Sequence, residues 1–246
     1  MHGITDKLAP LSLDVPSFYP AATPTRAADV AAGLETDRRL ARKADRRLYL
    51  NALRIANAAR ALEELPAPGV TLHCVMRGNY NAWDLVPAML ELMKPRTVAE
   101  LNIATLGFNQ QNADQLVALL DQGRITRATF ICSHFYKSNE GDLVNDLFGN
   151  LEQRGHQAAA LRCHAKIILA QSTGRRPLYL VIESSANLRS CRNIEQFTLT
   201  NDRELLEFHR AWQLELLDQA AEHARNHPEA KAHQAHQGRP PEHRQP

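Results

Sequence analysis

The chain contains 246 residues, of which 44% are hydrophobic and 23% are charged, as is ordinary for a globular protein with one substantial core and a small appendage. Its formal net charge of +2 gives no whole-protein field strong enough to indicate a nucleic-acid partner by itself. The sequence holds no apolar run of about 18 residues, and residues 1–7 lack the apolar region of a signal peptide, so we expect a cytoplasmic protein without a membrane partner.

The cysteines lack the C-x-x-C spacing of redox and zinc motifs, and three of them fall inside predicted strands, where a buried thiol behaves as a small apolar side chain. They are Cys74, Cys132, Cys163 and Cys191. This usage fits a reducing compartment and argues against a disulfide framework or a zinc site. We expect neither a metal ion nor a cofactor.

The first 65 residues divide into two segments. Residues 1–25 carry prolines and no periodicity, which predicts a flexible lead-in. Residues 26–65 form a predicted helical segment, in which apolar residues recur every three or four positions as a core or dimer contact. Six basic residues lie beside this seam: Arg38, Arg39, Arg42, Lys43, Arg46 and Arg47. They form either a solvated helical face or a surface that contacts nucleic-acid phosphates.

A compact domain follows the helix breaker at 66–69. Strands and helices alternate through it, in the order 70–76, 84–93, 97–106, 112–122, 128–133 and 141–154. This alternation predicts parallel strands with helices packed on the sheet. The turn-like residues 109–112 are expected to form a turn and a helix cap.

A predicted strand over 159–170 carries His164 and Lys166 two positions apart, so both side chains should lie on one face. A second strand, over 178–185, follows a turn near Gly174. If the two strands form an antiparallel hairpin, His164 lies roughly opposite Ser185. The hairpin then gathers polar residues at one end of an apolar ribbon.

Glu195 belongs to a third strand and shares a face with Phe197 and Leu199. A carboxylate on an apolar face needs a partner to offset its desolvation, and we expect that partner to be the imidazole of His164. The last helix should be capped by Asn201 or Asp202. Its buried stripe is predicted to comprise Leu205, Phe208, Trp212 and Leu216. The histidine- and proline-rich residues 221–246 are expected to form a disordered tail.

These residues resemble the signature of the phospholipase D superfamily, H-x-K-x4-D followed by G-S-x-x-N and a trailing glutamate. The matching residues are His164, Lys166, Ser185, Asn187 and Glu195.

The sequence departs from this signature at Gln171, in the aspartate position, and at Ser184, in the glycine position. The resemblance covers residues 68–217. It implies an α/β fold, with a mixed, largely parallel sheet flanked by helices as in a phospholipase D-like half-domain. The long basic helix precedes that domain.

In the resembled family one histidine attacks phosphorus to form a phosphohistidine, while lysine and asparagine hold the phosphoryl oxygens. A second histidine protonates the leaving group, and no metal is required. This chain holds a single H-x-K triplet, so the resemblance implies a homodimer with one shared site.

The leading hypothesis is therefore a metal-independent phosphodiesterase, a homodimeric nuclease that acts on nucleic acid, with DNA as the expected partner. One alternative is a phospholipase or phosphatidyltransferase that acts on lipids. Another is a catalytically weak, DNA-binding protein that keeps the fold.

Overall fold

The computed structural model describes residues 43–189 and 193–226. The expected lead-in, most of the tail, Cys191, and three of the six basic residues, Arg38, Arg39 and Arg42, lie outside the described residues. The chain divides into two compact units, Met1–Leu48 and Tyr49–Pro246, and the sheet belongs to the second. No helix in the described ranges is long and apolar enough to cross a membrane.

Seven strands lie within the described residues. They are β1 Thr71–Met76, β2 Val98–Thr105, β3 Ile125–Ser133, β4 Gln157–Leu161, β5 Ile167–Ser172, β6 Tyr179–Ser184 and β7 Glu195–Asn201. The helices of the same ranges are α1 Lys43–Leu62, α2 Leu85–Leu92, α3 Gln110–Asp121, α4 His134–Asn139, α5 Gly141–Gln153 and α6 Arg203–Asn226, with a 3₁₀ turn at Ala82–Asp84.

The seven strands form one mixed sheet in the order β1-β7-β6-β5-β2-β3-β4. β2, β3 and β4 are parallel to one another, whereas β2 pairs with β5 in the antiparallel sense, as do β5 with β6, β6 with β7 and β7 with β1. The expected α/β class with a mixed sheet is confirmed. The parallel part of the sheet is smaller than expected, because β1 does not lie beside β2 but pairs with β7 at the opposite edge.

Helices cover both faces of the sheet. The larger core lies on one face, where Trp83 and Met89 pack with Leu116 of α3 and Leu147 of α5. The other face is covered by α6, whose Leu206 packs with residues of β5 and β6 and whose Leu217 packs with residues of β2 and β3. Both faces of the central strands are therefore buried, as their apolar runs require.

The expected cap of α6 is confirmed, because the Asp202 side chain accepts a hydrogen bond of 3.0 Å from the Leu205 amide.

The predicted buried stripe of α6 is wrong by one position. The buried residues are Leu206, His209, Gln213 and Leu217, while Phe208 is 65% exposed. The two ends of the stripe are adjacent leucine pairs, 205–206 and 216–217, whereas in the middle the polar His209 and Gln213 are buried in place of Phe208 and Trp212. Hydrogen bonds satisfy the buried imidazole of His209, with Glu183 at 3.2 Å and Trp212 at 3.1 Å.

The expected cap at Asn109 is also confirmed. Its side chain accepts a 3.0 Å hydrogen bond from the Asn112 amide, and the Asn112 side chain accepts one of 3.0 Å from the Asn109 amide. This capping box starts α3 immediately after the end of β2.

Candidate active site

The motif residues lie where strands β2 and β6 end and where β5 and β7 begin, along the edge of the sheet that is formed by strand ends and not by an outermost strand. Ala104, near the end of β2, pairs with Ile167, the first residue of β5. Met76, the last residue of β1, pairs with Glu195, the first of β7. Polar side chains that leave these strands therefore gather at one edge. In open α/β sheets, the carboxyl ends of strands are where binding sites form.

His164 and Lys166 do not lie within a strand, which corrects the expectation of one strand over 159–170. β4 ends at Leu161, and β5 begins at Ile167. The physical reason is the strand order: β4 lies at the sheet edge, and β2 and β3 separate it from β5. The chain must cross those two strands, and His164 and Lys166 belong to the crossing segment.

Lys166 nevertheless lies directly against His164. Its Nζ is 3.0 Å from His164 Nδ1 and donates a hydrogen bond of 2.9 Å to the His164 carbonyl oxygen. An ammonium can only donate, so Nδ1 accepts, and a neutral imidazole then carries its proton on Nε2. His164 is exposed, so its ring can be reached from solvent.

Cys163, the neighbour of His164, is buried, and burial raises the pKa of its thiol. A thiol that stays protonated is a poor nucleophile. The imidazole is therefore the stronger nucleophile at this position.

The hairpin of β5 and β6 has its centre near Gly174, as expected, with Ile167 opposite Glu183 and Gln171 opposite Tyr179. The Ser184 amide donates a 3.0 Å hydrogen bond to the carbonyl oxygen of Lys166. The hairpin thus brings Ser184, rather than Ser185, beside the motif lysine.

The two serines fasten the end of β6 to the start of β7. Ser184 Oγ donates to the Gln196 carbonyl oxygen at 3.0 Å and accepts from the Ala186 amide at 3.0 Å. Ser185 Oγ accepts from the Gln196 amide at 3.0 Å. A glycine at position 184 would lack the first two of these bonds. Ser184 therefore stabilises the loop that carries Asn187.

Glu195 has a different partner from the expected one. The Ser185 hydroxyl donates to Glu195 Oε2, whereas the contacts of His164 run to Lys166. The strand order explains the difference, because β6 lies between β7, which carries Glu195, and β5, which follows the His164 segment.

Two neighbouring depressions open at this edge. The first is the asparagine depression, whose polar lining is Tyr80, Asn81, Asn187, Arg189, Asn193 and Glu195. The second is the lysine depression, whose polar lining is Thr105, Lys166 and Ser184. Ala82 and Ala186 line both. Lys166 and Asn187 therefore lie on either side of a shared wall.

Asn187 Oδ1 is buried and has no hydrogen-bond partner among the described residues. A buried polar atom without a partner costs free energy, roughly 1–3 kcal/mol. Such a group is available to a ligand.

The backbone beside Ala82 is stabilised by a hydrogen bond to the Asp84 side chain. Its Oδ2 accepts hydrogen bonds from Arg54 Nε at 3.0 Å and from the Asn81 amide at 2.7 Å. Asp84 is fully buried, and this burial raises its pKa in spite of the charge of Arg54.

Gln171, in the aspartate position of the resembled motif, lies near the opposite end of β5. It pairs with Tyr179 and Glu100. It lies four positions along β5 from Ile167, a span of about 13 Å. The replacement of the aspartate thus leaves the contact between His164 and Lys166 untouched.

Sequence reasoning missed Tyr80, Asn81 and Arg189 as residues of the site. Tyr80 and Asn81 follow β1, and they reach the site only because β1 pairs with β7. Arg189 lies two residues after Asn187, and this short spacing was a usable signal. Of the six basic residues, Lys43, Arg46 and Arg47 belong to α1.

No protein-family model matches the chain, and no curated protein matches it at the sequence level. Among solved structures, it is similar to a polyphosphate kinase from Porphyromonas gingivalis, with 16% identity and a TM-score of 0.42 over 63% of this chain and 26% of the kinase. It is similar to Nuc from Salmonella typhimurium, a phospholipase D family member, with 13% identity and a TM-score of 0.42 over 59% of this chain and 92% of Nuc. A third is TrmBL2, an archaeal chromatin protein with a novel mode of DNA binding, with 17% identity and a TM-score of 0.42 over 78% of this chain and 65% of TrmBL2.

The resemblance to the phospholipase D superfamily rests on the motif residues of the chain. Because all three TM-scores are low, we base function on the motif residues and their contacts. Within the described residues, no group of three or more His, Cys, Asp or Glu is placed to hold a metal ion.

Proposed function

We propose that the protein is a phosphodiesterase that cleaves nucleic acid through a phosphohistidine at His164. The observation that carries this proposal is the contact of 3.0 Å between Lys166 Nζ and His164 Nδ1. It unites an exposed imidazole with an ammonium at the sheet edge where Asn187 also lies. Positioned cations and amides of this kind stabilise charge that develops on phosphoryl oxygens.

The reaction has two steps. In the first, His164 Nε2 attacks phosphorus, an N–P bond forms, and the P–O bond to the leaving group breaks as that oxygen takes a proton from a general acid. In the second, water gives a proton to the same group and attacks phosphorus. The N–P bond then breaks, and His164 is restored.

Substrate binding would also prepare the nucleophile. In the free protein Lys166 donates to Nδ1, which places the proton of a neutral imidazole on Nε2, the nitrogen that must attack. A phosphate anion is a stronger acceptor for the ammonium than a neutral ring nitrogen. When Lys166 turns to the phosphate, Nδ1 can take the proton and Nε2 gains its lone pair.

The general acid would be His164 of the partner subunit, because the chain has a single H-x-K triplet and the mechanism needs two imidazoles. An isologous dimer with its two-fold axis beside the site brings two copies of one residue together. The exposure of His164 is compatible with such an arrangement.

Nucleic acid is the favoured substrate because the six basic residues at 38–47 form a cationic segment. Contacts from such a segment to a phosphate backbone supply affinity that does not depend on sequence. The first substrate to test is DNA.

A plasmid-nicking assay with and without EDTA tests the proposal. We expect supercoiled DNA to be nicked equally well in both, since no step requires a metal ion. Hydrolysis of phosphatidylcholine vesicles without DNA cleavage would identify a lipid enzyme instead. Binding of DNA without any turnover would identify a DNA-binding protein that keeps the fold.

A further inference from the structure

Arg189 lies on the rim of the asparagine depression, two residues after Asn187. Its side chain is exposed, and its Cζ lies 6.0 Å from the centre of the Tyr136 ring. A guanidinium held against an aromatic face keeps its in-plane N–H groups available to an acceptor. Arg189 thus presents a positioned positive charge beside the motif asparagine.

Tyr136 is a fixed platform for this charge. It is 7% exposed, its hydroxyl donates to the Phe108 carbonyl oxygen, and the two rings lie 5.2 Å apart. A β-carbon at Gly107 would come within 2.7 Å of the tyrosine ring, so the ring packs directly on that backbone. The guanidinium therefore lies over a ring that is itself buried and hydrogen-bonded.

Four other arginines of the domain are paired with carboxylates. These ion pairs are Arg54 with Asp84, Arg154 with Asp121, and both Arg127 and Arg210 with Glu100. Arg189 is held by a ring instead, and no carboxylate among the described residues pairs with it. Its charge therefore remains available at the mouth of a depression.

The carboxylate that shares this depression is Glu195, whose Oε2 accepts from Ser185. A phosphate that enters the depression would be repelled by this charge. Arg189 is the cation on the same lining that offsets the repulsion.

We propose that Arg189 binds the phosphate next to the one that is cleaved, and that it thereby selects a nucleic-acid strand over a substrate with a single phosphodiester. This inference rests on the proposed function of the site. A phosphate held between Lys166 and Asn187 would span the wall of Ala82 and Ala186, and Arg189, on the rim of the asparagine depression, would then remain for a second phosphate. Only a polymeric substrate carries a further phosphate to that rim.

The test compares the wild type with Arg189→Gln on two substrates, a single-stranded oligonucleotide and bis(p-nitrophenyl) phosphate. Arg175→Gln is the matched control, because Arg175 is also exposed but lies in the turn between β5 and β6, at the opposite end of the strands. We expect Arg189→Gln to lower kcat/KM roughly tenfold on the oligonucleotide, as for the loss of one charged hydrogen bond. Hydrolysis of bis(p-nitrophenyl) phosphate should fall much less, because this substrate has no second phosphate for Arg189 to bind.

Oligonucleotide binding supplies a second readout. The slope of log Kd against log salt should become shallower by about 0.7 in Arg189→Gln, the value for one phosphate contact on a single strand. Arg175→Gln should match the wild type in every measurement. Equal losses on both substrates, or an unchanged salt slope, would overturn the inference while the proposed function stands. If the wild type hydrolyses neither substrate, the proposed function fails and the inference fails with it.

Discussion

Arg127 Nη2 on β3 lies 2.6 Å from Glu100 Oε2 on β2, and Arg210 on α6 approaches the same oxygen at 3.4 Å. One buried carboxylate thus joins two central strands to the helix that covers them. Burial opposes the ionisation of Glu100. Hydrogen bonds from Arg127 and Asn102, with the charges of both arginines, outweigh this effect and hold its pKa below the ordinary value.

Glu100→Gln should lower the free energy of unfolding by about 1–2 kcal/mol at pH 7, toward the low end because the Arg127 side chain is 66% exposed. The folded-state pKa is depressed, so the stabilisation is complete above the unfolded pKa of about 4.3 and is lost as pH falls through the folded value. Urea unfolding at pH 7 and at pH 3 should show a gap between variant and wild type that closes in acid. Glu91→Gln, at a half-exposed helix position, is the control. A gap of equal size at both pH values would contradict this account.

His164→Ala should lower turnover by on the order of 10³-fold or more, as expected for loss of a nucleophile, without changing Tm. Its side chain is exposed, so the core does not depend on it. Lys166→Ala and Asn187→Ala should act in the same direction through lost phosphate contacts. Steady-state kinetics and thermal unfolding on the same preparations measure both effects. A His164→Ala protein that keeps most of its activity would remove this residue from the mechanism.

Mixing His164→Ala subunits with wild type in equal amounts should halve the activity per wild-type chain. Random exchange would make about a quarter of the dimers wild type, and each mixed dimer would hold only one of the two required histidines. Activity after subunit exchange, with sedimentation as a check on assembly, gives the measurement. An active monomer, or unchanged activity despite proven exchange, would defeat the shared-site model.

Replacement of the basic residues at 38–47 by glutamine should weaken DNA binding and flatten its salt dependence. With fewer phosphate contacts, binding releases fewer counterions from the DNA. The replaced residues are Arg38, Arg39, Arg42, Lys43, Arg46 and Arg47. Fluorescence anisotropy at several salt concentrations gives the slope. The same slope in variant and wild type would assign the cluster to a solvated face.

Leu206→Ala should lower the free energy of unfolding by about 2–5 kcal/mol, since it deletes buried methyl groups between α6 and the sheet. Leu206 is 2% exposed, whereas Phe208 is 65% exposed. Phe208→Ala should therefore change stability little, although phenylalanine is the larger side chain. Chemical denaturation of the two variants makes the comparison. A larger loss for Phe208→Ala would restore the stripe predicted from the sequence.

The sequence was sufficient for the elements whose signals are local. The cap at Asn109, the turn near Gly174 and the cap at Asp202 depend on nearby residues, and each is present. The motif residues also gather at one sheet edge, because a hairpin brings its strand ends together whatever the rest of the sheet does.

What could not be predicted depends on contacts between distant segments. The partner of β1 is chosen by strands more than a hundred residues later, so neither its edge position nor the place of Tyr80 followed from local pattern. The break after Leu161 has the same origin, since only the strand order reveals that the chain must cross β3 and β2. The buried face of α6 includes His209, whose imidazole is hydrogen-bonded to Glu183 and Trp212, and hydrophobicity alone does not register such contacts.

The pairing of β1 with β7 has a consequence for synthesis on the ribosome. The hydrogen bond between Thr71 and Thr200 joins positions 129 residues apart. Contacts so remote in sequence form late, and here the later strand must first be translated. Met76 and Glu195 meet across this pair and line the asparagine depression, so that depression closes only after nearly the whole domain has emerged. We therefore expect the asparagine depression to form late, after His164 and Lys166 have already been synthesised.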